Sequence, residues 1–134
     1  MVEEIQKFTK LTFIIHFVLG LILTILFFMP EITSPLYGIT YTDETGAMSM
    51  IIGAYGAGLT VSSLCGLLAK EWKEVKIVVI TEIIWLAAGL IAMIINFSVF
   101  SVGMAVVTLI IFIVLLALFI LTFLQQEEKI KPLL

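Results

Sequence analysis

Residues 77–97, IVVITEIIWLAAGLIAMIINF, form an apolar stretch of membrane length with one carboxylate, Glu82, inside it. An unpaired acid in hydrocarbon costs roughly 2.5–3.5 kcal/mol on insertion scales, so Glu82 is expected to face other helices and to be paired, protonated or wetted there. Glu82, Trp85, Gly89, Ala92 and Asn96 recur at alternating spacings of three and four, which sets the polar, small and amphipathic residues on one helical stripe. Ile80, Ile83, Ile84, Leu86, Leu90, Ile91 and Ile94 are left for the lipid-facing remainder.

The rest of the chain has the same character. Of 134 residues, 62% are hydrophobic and only 13% charged, and the mean hydropathy is +1.26, far from the balance of a soluble domain. Apolar windows at 11–29, 47–69, 77–97 and 104–124 each suffice to cross about 30 Å of hydrocarbon. They predict an all-α, antiparallel four-helix membrane bundle, a single domain over residues 1–134. The first window outruns a signal-peptide core, follows Glu3 and Glu4, and has no small-residue cleavage site after it, so it reads as a retained helix.

All seven basic residues are lysines. Lys7 and Lys10 precede the first window, Lys70, Lys73 and Lys76 separate the second and third, and Lys129 and Lys131 follow the fourth. The positive-inside rule then predicts both termini and the 70–76 turn to be cytoplasmic, in a prokaryotic cell membrane. The net charge of −3 and the topological role of the lysines exclude nucleic acid as a partner. The partner is the lipid bilayer.

In the first window Thr12, His16, Gly20 and Thr24 form a narrow polar and small stripe. Pro30 is expected to end that helix. The connection 31–46, with Pro35, Gly38, Tyr37 and Tyr41, suits either a structured cap or an interfacial loop with aromatic anchors. Thr42 followed by Asp43 and Glu44 has the composition of a helix start. In the second window Ala54, Gly58, Ser62 and Gly66 are spaced by four and read as a helix-packing ridge, with Gly53 and Ala57 beside it. The brief turn KEWKEVK should make the second and third helices antiparallel neighbours, with Trp72 as an interfacial anchor. Ala105, Thr108, Phe112, Leu115, Phe119 and Thr122 give the fourth helix its inner face.

His16 and Glu82 each lie six residues beyond a lysine on helices of the same direction, so both stand roughly 9 Å along the helix from it. Ser62, Ser63 and Cys65 reach a similar depth on the second helix, Trp85 stands one turn above Glu82, and Thr122 joins from the fourth. One polar layer of His16, Glu82, Ser62, Cys65 and Trp85 is therefore predicted. It serves either as a fastening between helices or as a proton or ligand site. One His, one Cys and one carboxylate make a poor metal set, the lone Cys65 excludes an internal disulfide, and no cofactor is implied. There is no nucleophile triad, no HExxH and no phosphate loop, so the chain reads as no enzyme.

The first outer loop SPLYGIT and the Gly-rich second helix GAYGAGL, within four spans and with both ends inside, resemble the small four-helix membrane proteins of prokaryotes grouped as DoxX-like. The resemblance is architectural and implies no particular activity. The expected role is that of an accessory subunit of a membrane complex or a self-associating bundle. The alternative is a small transporter or lipid and hydrophobic-ligand binder built on His16 and Glu82.

Overall fold

Four long apolar helices account for most of the molecule, because each window carries its own backbone hydrogen bonds and buries only one stripe of side chains. The computed structural model describes residues 4–130, Lys129 and Ile130 by backbone alone; Glu3 and Lys131, which entered the charge pattern, lie outside the described residues. Helix α1 is Lys7–Phe27, α2 Pro30–Leu36, α3 Asp43–Leu68, α4 Trp72–Ile95 and α5 Val102–Ile130, with a 3-10 turn at Phe97–Val99. Among the described residues there is no strand, only an isolated bridge between Glu4 and Glu71. Outward faces are covered by aliphatic residues such as Ile14, Val18, Ile84, Ile91, Ile110 and Ile113, a surface that suits hydrocarbon. The four long helices are each long and apolar enough to span a membrane.

Helix boundaries follow local chemistry. Pro30 does more than stop α1: it occupies the first turn of α2, where its missing N–H is not needed. The 31–46 connection is thus a cap with a helix in it. Gly38 turns the chain at φ 75°, and the cap is tied to α5 by Ser101 N–H to the Tyr37 carbonyl at 2.8 Å and by Tyr37 Oη to Thr108 Oγ1 at 3.0 Å. Thr42 caps α3 in a reciprocal box with Thr45.

The closest partner of α1 is α3, and of α4 it is α5. Small residues on α3 allow the first approach. Gly46, Ser49, Gly53, Thr60, Ser63 and Gly66 are buried, and the positions of Gly53 and Gly66 lie directly against Phe27 and Phe13 of α1. The second pair is a row of apolar contacts in which Val75, Val79 and Leu86 are buried with Leu115 and Phe119. Leu86 is therefore a core residue and not part of the lipid-facing set expected for it. Helices α3 and α4 are joined by a short turn yet meet sparingly along their length.

All three lysine-bearing regions come together at one end of the bundle. Ile5 N–H reaches the Lys70 carbonyl at 3.4 Å, and Lys76 Nζ lies 2.8 Å from Glu127 Oε1. Trp72, expected as an interfacial anchor, is buried there, 1% exposed, with its indole N–H 2.7 Å from Glu127 Oε1 and its ring against Phe123, so that it packs inside the bundle and closes this end. Gln126, also 1% exposed, is the hub of this end. Its Oε1 accepts from Gln6 N–H and Thr9 Oγ1, each at 3.2 Å, and its Nε2 donates to the Glu4 carbonyl at 2.9 Å. Replacing Gln126 with Leu should lower stability by about 1–3 kcal/mol, because it strands three polar partners. Denaturant titration in mixed micelles measures this, and an unchanged midpoint would show the hub to be dispensable.

Candidate functional site: a buried polar layer beneath an apolar cavity

Above the Gln126 hub the interior is closed by two further layers. Thr12 and Thr122 share a hydrogen bond of 2.9 Å, and the Phe13 and Phe119 rings meet edge to face at 5.8 Å. His16 rests on Phe119 in the same geometry at 5.2 Å.

The His16 level is the polar layer. His16 Nε2 stands 3.5 Å from Glu82 Oε2, and its Nδ1 is hydrogen-bonded to Ser63 Oγ at 2.5 Å. Ser62 Oγ lies 3.1 Å from Glu82 Oε1 and 2.7 Å from the Leu59 carbonyl, and so divides one proton between them. His16 is 4% exposed and Glu82 1%. Glu82 Oε2 is the buried side-chain oxygen without a hydrogen-bond partner among the described residues, with the imidazole its nearest polar neighbour.

Two proton arrangements satisfy this geometry. With a proton on Nε2, the imidazole points its N–H at a carboxylate and accepts from Ser63 at Nδ1. With a proton on Nδ1 instead, Ser63 turns its own proton to the Leu59 carbonyl, 3.3 Å away, and a carboxylic acid at Glu82 faces the bare Nε2 at 3.5 Å. The second arrangement holds one proton more than the first.

Of the residues expected in this layer, His16, Glu82 and Ser62 meet. Cys65 is exposed and turned away, Thr122 belongs to the layer below, and Trp85 lies one turn above on the wall of a cavity. Ser63, placed at this depth by residue counting, is the direct partner of His16. Of the packing ridge, Gly66 lies under Phe13 and Ser62 touches Glu82, while Ala54 is exposed and the Gly58 position has nothing within 4 Å. The surface that packs on α1 is the adjacent row, including Gly56 beside Thr24 and Thr60, which is itself 3.4 Å from Thr24. Among the described residues no three His, Cys, Asp or Glu side chains converge as a metal set would require.

The cavity has a volume of about 710 Å³ and uses His16 as part of its floor. Its shaft is lined by Leu23, Leu59, Trp85, Ile111, Phe112 and Leu115. Trp85 packs on Phe112 at 5.5 Å between ring centres, which Gly89 permits by leaving the space beside that ring empty of a side chain. At the lysine-free end the lining turns polar, with Thr45, Glu44, Ser34 and Asn96. The flank between α3 and α4 is open: the lining residues Met48, Ile52, Tyr55 and Trp85 remain 59%, 46%, 70% and 40% exposed. Ser62 and Glu82 close that flank at the level of the floor. The arrangement is a blind shaft with an apolar wall, a polar rim and a side opening, of the size that holds small organic ligands.

The resemblance to DoxX-like proteins rests on the four apolar helices alone, since the chain matches no family model, no curated protein and no solved structure.

Proposed function

We propose that this chain is a non-enzymatic multi-pass membrane protein that binds a membrane-dissolved apolar ligand in the shaft above His16. The observation that supports this reading is the cavity itself: about 710 Å³ with a mostly apolar lining, in a bundle whose lysine-bearing end is packed and hydrogen-bonded. A helix pair held together only for packing has no use for such a volume, because empty apolar space forfeits dispersion contacts. The opening between α3 and α4 faces the side of the bundle, where lipid tails would lie, so a ligand would enter sideways without crossing water. The polar layer at the floor fixes the rotation of α1, α3 and α4 about one another and keeps the shaft blind.

Native mass spectrometry from mild detergent tests this reading. The expected result is a retained lipid-sized adduct, lost in Ala92→Trp, which places an indole in the shaft from an exposed position on α4. An adduct unchanged by Ala92→Trp would overturn the assignment. The accessory-subunit or self-associating role keeps one observation in its favour, the uncovered Ala54 and Gly58 face of α3, and the same measurement would reveal a second copy there.

A further inference from the structure

The rim of the shaft distinguishes among ligand headgroups. Every basic residue whose side chain is described lies at the other end of the bundle, whereas the rim carries the Glu44 carboxylate, with Asp43 beside it in sequence. Rim groups also present acceptors. Asn96 gives one amide N–H to the Ala92 carbonyl at 2.8 Å and keeps its Oδ1 as an acceptor. Thr45 directs its hydroxyl proton to the Thr42 or Thr40 carbonyl, at 3.1 and 3.2 Å, and the Tyr37 hydroxyl is engaged with Thr108. An anionic head would meet a like charge at Glu44; a positively charged head with several N–H donors would meet complementary acceptors. From this rim Trp85 stands roughly 16 Å along α4 from Asn96, at about 1.5 Å per residue, so the shaft is deep enough for an extended alkyl tail.

Resting on the ligand-binding reading above, we infer that the occupant is a single-chain amphiphile with a protonated primary amine as its head. The ammonium sits at Glu44 and Asn96, and the tail runs past Trp85 toward His16. This orientation is the one such a molecule already has in a lipid leaflet, head at the interface and tail inward, so entry through the open flank requires no inversion.

Quenching of Trp85 fluorescence tests the assignment in bilayers of zwitterionic lipid. Three probes of equal tail length carry bromine at the tail end and differ only in head: a primary alkylammonium, an alkyl alcohol and an alkyl sulfate. The expected order of affinity, at equal concentration in the bilayer, is ammonium, then alcohol, then sulfate, with Trp85→Phe abolishing the quenching that remains saturable. Glu44→Gln should reduce the ammonium's advantage over the alcohol by on the order of three- to fivefold, and high salt should do the same, since the pair is solvent-exposed. The alcohol serves as the internal control, because its affinity should not respond to Glu44→Gln. Equal affinities for all three probes would overturn the headgroup assignment and leave the cavity reading standing. Absence of saturable quenching by any of them would overturn both.

Discussion

Substitution of His16 by Leu should destabilise the bundle by about 3 kcal/mol, the low end of what breaking a buried charged or polar pair costs. The imidazole is the nearest polar neighbour of Glu82 Oε2 and the partner of Ser63 Oγ, and both are lost together. Ser62 keeps its contact with Oε1, which is why the low end applies. The reciprocal change, Glu82→Leu, should be milder, near 1 kcal/mol, because His16 retains Ser63 and an interhelical hydrogen bond in a membrane contributes only about that much. Removing both should recover most of the loss, since no acid is then left alone in apolar surroundings. Unfolding equilibria of the two single variants and the double variant in mixed micelles form the cycle that measures this. Equal costs for the two single changes would show that Glu82 does not depend on His16.

Gly66→Ala should cost about 1–3 kcal/mol although it adds one methyl group. That carbon would stand 2.6 Å from two atoms of the Phe13 ring and 2.7 Å from a third. Phe13 has no room to yield: it is fully buried and held edge to face by Phe119. Either the ring leaves its rotamer or α3 moves off α1, and the second option would also pull Ser63 from His16. Gly58→Ala, on the same helix, meets nothing within 4 Å and should be neutral or slightly stabilising through helix propensity. The contrast between the two glycines, read as thermal unfolding midpoints, checks the register of α3; a larger effect at Gly58 would mean that a second protein covers that face.

The four helices were legible because their signal is one of total apolarity over membrane length, which does not depend on the partner. Thr42 at the start of α3 was legible for a similar reason, since a cap is local chemistry. The depth match of His16 and Glu82 was also readable, as it needs only the rise per residue. Rotation was harder. A strict spacing of four drifts by about 40° per step from a helix that turns 100° per residue, so Ala54 and Gly66 cannot share a face. Alternating steps of three and four, as in Gly53, Gly56, Thr60 and Ser63, hold one face, and that row packs on α1. Gln126 was hidden because it looks like the polar tail after an apolar run; only the backbone of residues 4–6, brought alongside by the fold, gives its amide buried partners. The cavity had no sequence signature at all, since it is set by how far α3 and α4 diverge.

The closed floor gives the shaft a thermodynamic character of its own. With Thr12 bonded to Thr122, Phe13 against Phe119 and Gln126 knotted to the first residues of the chain, the space communicates with one half of the surroundings and is walled off from the other. If such a chamber holds a guest as proposed, it works as a reservoir and not a conduit, its occupancy following the chemical potential of that guest in the single compartment it samples. In a bilayer, filling it would then respond to the composition of one leaflet while remaining blind to the other.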